Sequence, residues 1–168
     1  RVNLIPVIGS GFSVPFGLPD WGTLVRKAAV QLELEREQQD VMDHFLKEWK
    51  YLEAVDVILD TGITEEKLQQ TIAEIFSAEK ARANTTCVNN YTDLAQMPRL
   101  RFMTTNYDQY INDFTGADSF PLESLRNIKT NEFAGRKYDH IVIPLHGEID
   151  RPSSIVLSRQ SYERLYKS

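Results

Sequence analysis

Residues 2–21, VNLIPVIGSGFSVPFGLPDW, begin with an apolar run and then break into a glycine turn. The largely apolar positions 2–8 predict a strand buried on both faces, although Pro6 lacks the N–H that a central strand needs. In the turn, Gly9 and Gly11 let the backbone approach a ligand closely. A helix starting there would direct its free N–H groups at an anion. The stretch therefore predicts a nucleotide phosphate site at the carboxyl end of a central strand.

The composition indicates one globular domain over 1–168. Of 168 residues, 42% are hydrophobic and 26% are charged, which suffices for a sizeable core. The formal net charge of −5 argues against nucleic acid or an anionic membrane as a partner. The one cysteine, Cys87, excludes a disulfide framework and a multi-cysteine zinc site, so we expect no metal. With no signal peptide or apolar membrane-spanning run, we expect a cytoplasmic protein, and both trimmed-looking ends suggest a fragment of a longer one.

Apolar periodicity predicts a helical block over about 23–96. Helices are expected at 23–34 with Thr23 as N-cap, at 38–59, from Thr64 onward, and at 86–96. One inward stripe is expected on the second helix, and its members are Val41, Phe45, Trp49, Leu52, Val55 and Leu59. These stripes predict core packing and carry no chemistry of their own.

Strands return in the second half of the chain. We predict strands at 100–105, 140–145 and 155–157, a loop at 115–136, and a last helix capped by Ser158. Strands separated by helices indicate an α/β fold with a mostly parallel, Rossmann-like sheet. Ligands of such sheets lie outside the carboxyl ends of the strands, so the polar residues that follow each strand are expected to converge on one crevice.

The ordinary dinucleotide fingerprint is incomplete. Val14 stands where Gly-x-Gly-x-x-Gly needs its third glycine, and Glu33 and Glu35 lie on a predicted helix, so the usual acidic residue after a second strand is missing. This weakens a dehydrogenase hypothesis but leaves it open.

Three other motifs occur in a fixed order. Gly9-Ser10-Gly11-Phe12-Ser13, followed by GLPDW at 17–21, resembles the Gly-Ala-Gly-x-Ser…Gly-Ile-Pro-Asp-Phe pattern of the sirtuins. TTNYD at 104–108 resembles their Thr-Gln-Asn-Ile-Asp, and His146-Gly147 resembles their catalytic His-Gly. The closing IVLS at 155–158 with Tyr162 looks like the sirtuin-like domains of bacterial anti-phage defence proteins. The resemblance implies NAD as substrate, hydrolysed to nicotinamide and ADP-ribose.

The departures from deacetylase sirtuins are informative. The four zinc cysteines of those enzymes are absent, Gly22 replaces an arginine and Thr105 replaces a glutamine. The helical block stands in place of their small subdomain. These differences argue against a protein deacylase or ADP-ribosyltransferase, and the defence branch implies an effector that depletes NAD under the control of an oligomer, a neighbouring domain or a partner.

The resemblance also assigns candidate residues. His146 is the candidate base and Asn106 the residue that orients the ribose or the attacking water. The residues implied to bind NAD are Gly9, Ser10, Gly11, Phe12, Ser13, Pro19, Asp20, Thr105 and Asp108. Other interpretations remain open: Asn106 and Asp108 are common turn residues, Asp20 is a suitable helix cap, and a module that senses NAD or ADP-ribose without turnover would need the same pocket. The choice between NAD and NADP is also open.

Overall fold

The computed structural model describes residues 5–98, 100–125 and 139–166, and they form an α/β fold around a parallel sheet. The strands stand in the order β1-β2-β4-β3, and each neighbouring pair is parallel. Their bounds are β1 Val7–Ile8, β2 Leu100–Thr104, β3 Asp118–Ser119 and β4 His140–Pro144. The predicted Rossmann-like fold class is confirmed.

The register of the sheet fixes where the site can form. Ile8 pairs with Thr104, and Thr104 pairs with Pro144, so three strands end side by side. The residues that follow those ends lie at one edge of the sheet, as expected for parallel strands.

The first strand differs from its prediction. Within the described residues it is only Val7–Ile8, and residues 2–4 of the predicted strand lie outside them. Val7 is 62% exposed and Ile8 is buried, so the expectation of burial on both faces is wrong. Pro6 causes no conflict because it precedes the strand, where its carbonyl accepts a hydrogen bond from Met103 N at 2.9 Å.

Five α-helices lie between β1 and β2 in the described part of the chain. They are α1 Trp21–Gln31, α2 Arg36–Lys47, α3 Tyr51–Leu59, α4 Glu65–Arg82 and α5 Tyr91–Leu94. The helix expected from Thr64 is confirmed, since the Thr64 side chain accepts from Lys67 N and the apolar residues of the helix are buried: Leu68, Ile72, Ile75 and Phe76. Asp20 rather than Thr23 caps α1, and only residues 91–94 of the predicted helix 86–96 are helical.

The helix predicted at 38–59 is two helices, which corrects the sequence analysis. Lys50 N donates to Phe45 O at 3.0 Å, and Trp49 has a φ of 62°, so α2 ends in the hydrogen-bond pattern of a Schellman motif. That left-handed position usually holds glycine, and a tryptophan there gives no stop signal in the sequence. Trp49 and Val41, predicted to face inward, are 77% and 49% exposed.

Three α-helices belong to the described part of the chain after β2. They are α6 Tyr110–Thr115, α7 Leu122–Leu125 and α8 Arg159–Tyr166. The predicted loop at 115–136 contains β3 and α7, and its residues 126–136 lie outside the described ones. Residues 155–157 are not a strand of the sheet, although they are buried, and Val156 N donates to His146 O at 2.9 Å. Ser158 caps α8 as predicted, because its hydroxyl accepts from Ser161 N.

None of the helices within these ranges is both long and apolar enough to cross a membrane.

Candidate active site

A cavity of about 660 Å³ opens at the carboxyl ends of β1, β2 and β4, under the start of α1 and the start of α3. Its size is in the range of small-molecule and cofactor sites. Seven of the residues predicted for the site line it, namely Ser10, Ser13, Pro19, Thr105, Asn106, Asp108 and His146. The cavity therefore brings together both predicted catalytic residues and both halves of the predicted NAD site.

Four predicted residues do not line the cavity wall. Gly9 contributes its backbone, since its carbonyl accepts from Asn106 Nδ2 at 3.1 Å. Gly11 is exposed, and Phe12 packs edge-on against Tyr91 with ring centroids 5.5 Å apart. Asp20 accepts from Thr23 N at 2.7 Å, and that hydrogen bond holds the pKa of its carboxyl below the usual value. Asp20 therefore acts as the helix cap that the sequence offered as its alternative role.

The turn after β1 is a short 3₁₀ turn, Ser10–Phe12, followed by a second one at Val14–Phe16. The α-helix that the sequence analysis considered at the glycine turn does not form, and two 3₁₀ turns stand there instead. They place Ser13 inside the fold, where it is 2% exposed, while Ser10 stays at the surface of the cavity.

Asn106 is buried directly after β2, and its amide is held by three acceptors. Its Nδ2 lies 3.1 Å from Gly9 O, 3.1 Å from Ser13 Oγ and 3.3 Å from Tyr91 Oη. Because a carbonyl can only accept, Gly9 fixes which end of the amide is the nitrogen. Asn106 Oδ1 is then left buried without a hydrogen-bond partner among the described residues. A buried acceptor without a donor costs roughly 1–3 kcal/mol, and a ligand hydroxyl or bound water would remove that cost.

Asp108 belongs to the same hydrogen-bond network. Its Oδ2 accepts from Ser13 Oγ at 2.8 Å, and its Oδ1 accepts from Tyr110 N at 3.1 Å. Burial raises the pKa of the Asp108 carboxyl, while these two hydrogen bonds oppose the shift. Burial, and then the Asp108 charge, also raise the pKa of Tyr91, so its hydroxyl stays protonated and can donate.

His146 stands just after β4, on the other side of the cavity. Its Nε2 lies 3.0 Å from Tyr162 Oη, a residue of α8 that also lines the cavity. Burial lowers the pKa of His146, because a low-dielectric site disfavours the charged imidazolium. The histidine is therefore set up as a neutral ring that can accept a proton.

The residue after that histidine, Gly147, has a backbone conformation and surroundings that require a glycine. Its φ is 84°, and a Cβ built on it would lie 2.1 Å from Ser154 O and 2.7 Å from Ile155 N. The segment after the 3₁₀ turn Pro152–Ser154 packs directly on this glycine and holds the His146 turn. The glycine is thus needed for both its backbone conformation and its lack of a side chain.

Comparison with known proteins finds a related family. A family model described as "SIR2-like domain" matches residues 100–168, the part that carries Asn106, Asp108 and His146. In this part the chain is sirtuin-like. An NAD(+) hydrolase ThsA of Cytobacillus dafuensis is 32% identical over 163 residues, covering 95% of this chain and 29% of the relative.

Two further relatives carry the same name. An NAD(+) hydrolase ThsA of Bacillus cereus (strain MSX-D12) is 22% identical, and one of Enterococcus faecium is 25% identical. Each alignment covers 93% of this chain and 30% of the relative. The sirtuin-like chain thus spans about a third of the length of the curated relatives it matches.

The structure adds two residues that the sequence analysis does not assign to the site. Tyr162 lines the cavity, and Tyr91 lies behind its wall, with its hydroxyl within hydrogen-bond distance of Ser13 and Asn106. Aromatic residues also line the mouth from the helical block: Trp21, Trp49 and Tyr51. No local signal marks them, because their place at the site depends on how α1, α3 and α5 pack against the sirtuin-like sheet.

The pKa of His146 predicts the acid side of the pH profile. A base must be neutral to accept a proton, and an ordinary histidine loses that form below about pH 6.5. Because burial lowers the His146 pKa, the neutral form persists to lower pH, so a reaction that uses His146 as its base should have the acid limb of kcat/KM below pH 6.5. Steady-state rates measured from pH 4.5 to 8 would check this, since an acid limb above pH 6.5 contradicts it.

Asp108 could produce an acid limb of its own, because the pKa of its carboxyl is raised. The residual activity of His146→Gln separates the two groups. We expect the limb to vanish in that variant, whereas a limb that persists there belongs to Asp108.

Proposed function

We propose that this chain is the NAD-binding and catalytic domain of an NAD+ hydrolase, which releases nicotinamide and ADP-ribose. The observation that carries the proposal is the convergence of Asn106 and His146 on one cavity at the carboxyl ends of the strands. The names of the ThsA relatives support the same reaction.

The reaction places specific demands on the site. Cleavage of the ribose–nicotinamide bond builds oxocarbenium-like positive charge on the ribose, as in other glycosyl transfers. Water then bonds to the anomeric carbon, the electron pair of the broken C–N bond passes to the nicotinamide ring nitrogen, and the proton of water passes to a base. Nicotinamide is neutral once it has left, so the site needs orientation and a base more than a strong acid.

The described residues can meet these demands. His146 would take the proton, since its Nε2 lies 3.0 Å from the hydroxyl of Tyr162 and burial keeps the ring neutral. Asn106 Oδ1 accepts from a ribose hydroxyl or the attacking water, which would give that buried oxygen the donor it lacks. Asp108, also on the cavity wall, would hold the nicotinamide carboxamide.

The turn after β1 would hold the rest of NAD. Ser10 and the backbone of Gly9 and Gly11 would meet the diphosphate, and Pro19 and Thr105, which line the cavity with Ser10, would complete that wall. Ser13 would act less through the phosphates than through Asp108 and Asn106, because its hydroxyl is committed to them.

In the cell, we propose that the longer protein is a cytoplasmic effector of anti-phage defence that stops phage growth by depleting NAD. Such an activity has to be silent before infection, so an oligomer or a regulatory domain or partner would control it. The ThsA relatives are about three times as long as this chain, so the control would come from parts of the protein outside these residues.

The test is nicotinamide release by the full-length protein. The protein and its Asn106→Ala variant are produced in a bacterial host, with and without phage challenge, and NAD, nicotinamide and ADP-ribose are measured by chromatography. We expect equimolar nicotinamide and ADP-ribose from the wild type and at least a hundredfold less from the variant. Release that requires an acetylated peptide would make the protein a deacylase, and NAD binding without turnover under phage challenge would make it a sensor.

A further inference from the structure

The hydroxyl of Tyr91 lies at the centre of the network around Asn106, although Tyr91 comes from the helical block. Its ring is fully buried and held on several sides, stacked on Phe114 with centroids 5.7 Å apart and tilted against Phe16 at 5.9 Å. Because the ring cannot move freely, the position of the hydroxyl is set by the core.

The hydrogen bonds of the network have one consistent direction. The Ser13 hydroxyl donates its hydrogen bond to the Asp108 carboxylate. Ser13 Oγ can therefore accept a hydrogen bond from Tyr91 Oη, 2.8 Å away. Both hydroxyl oxygens then present lone pairs to Asn106 Nδ2, which can only donate. Linked hydrogen bonds of this kind polarise one another in a low-dielectric interior.

We infer that Tyr91 is a positioning residue for the reaction, because its hydroxyl and that of Ser13 hold the Asn106 amide in the orientation that leaves Oδ1 free for ribose or water. This inference rests on the proposed function. Tyr91 does not line the cavity, so it acts on the substrate only through the residues it is bonded to, Asn106 and Ser13.

Loss of the Tyr91 hydroxyl removes one of the acceptors of Asn106 Nδ2 and the hydrogen bond that Tyr91 donates to Ser13 Oγ. The Asn106 side chain then loses part of its restraint, and small misplacements of a positioning group can lower a rate by about a hundredfold. Substrate binding should be little changed, because the ring and the cavity wall stay in place.

The chain provides a matched control in Tyr110. Its ring belongs to the same aromatic cluster, with its centroid 6.4 Å from that of Tyr91, and its buried hydroxyl has no hydrogen-bond partner among the described residues. Tyr110→Phe therefore removes a hydroxyl from the same cluster without breaking a link to Asn106.

The experiment compares Tyr91→Phe and Tyr110→Phe in the full-length protein, with NAD as the probe. We expect Tyr91→Phe to lower kcat by roughly 10- to 100-fold with KM within about threefold, and Tyr110→Phe to leave both within about threefold. In the Asn106→Ala background, Tyr91→Phe should cause no further loss, because the residue it positions is gone.

The outcomes separate the inference from the proposed function. Equal kcat values in the two tyrosine variants, or an additive loss in the Asn106→Ala background, overturn the role of Tyr91. An Asn106→Ala protein with unchanged turnover overturns the proposed mechanism instead. If Tyr91→Phe fails to fold, Ser13→Ala cuts the same chain of hydrogen bonds from its other end and carries the same kcat prediction.

Discussion

Replacement of His146 by alanine is expected to lower nicotinamide release by about 10²- to 10⁴-fold, the contribution typical of a positioned general base. His146 lies at the end of β4, half-buried, with its Nε2 3.0 Å from Tyr162 Oη, and burial keeps its ring neutral. The NAD dissociation constant should change by less than about fivefold, because the residues on the β1 and β2 side of the cavity remain. Single-turnover assays measure the rate, and calorimetry measures binding.

His44 supplies the control for that variant. It lies on α2 with a side chain that is 67% exposed, and His44→Ala removes the same group from a place that does not line the cavity. Turnover of His44→Ala should equal that of the wild type. Equal turnover in His146→Ala as well would show that another group accepts the proton.

Replacement of Gly147 by alanine is expected to have the largest effect on stability. An added Cβ would meet Ser154 O at 2.1 Å, and the φ of 84° is unfavourable for any residue with a side chain. The atoms it meets are backbone atoms, which cannot swing away as a flexible side chain would. Strain and overpacking together should lower the free energy of unfolding by about 3–5 kcal/mol.

Gly62→Ala isolates the contribution of the backbone angle. Gly62 has a φ of 91°, but a Cβ there would have no atom within 4 Å. That variant should lose only about 1–2 kcal/mol of unfolding free energy, the cost of the left-handed conformation. Urea unfolding of the two full-length variants measures the difference, and equal losses would show that the contact with Ser154 has no effect.

Much of the fold follows from local patterns. Apolar runs that end in polar turns predicted β2 and β4, and the three- and four-residue spacing of Leu68 and Ile72 predicted α4. The order of the three motifs predicted a sirtuin-like chain. Since parallel strands end at one edge of the sheet, the order of these motifs also predicted a common crevice for Asn106 and His146, and both line the cavity.

The errors of the sequence analysis have a common physical origin. The stripe from Val41 to Leu59 continues across the break at Trp49, because apolar spacing does not record a left-handed residue that is not glycine. Residues 155–157 have the composition of a strand, yet their backbone pairs with the His146 turn instead of the sheet. In both cases backbone hydrogen bonds, which the spacing of side chains does not record, overrode the local preference.

The candidate site residues were thus predictable from the sequence, because strand ends and glycine turns are local features. The hydrogen bonds that orient them were not. Ser13 and Asp108 are 95 positions apart, and Ser13 and Tyr91 are 78 apart. The pairing of β1 with β2 brings Ser13 to Asp108, and the packing of the helical block brings Tyr91 to Ser13, so the direction of the Asn106 amide is a property of the folded chain.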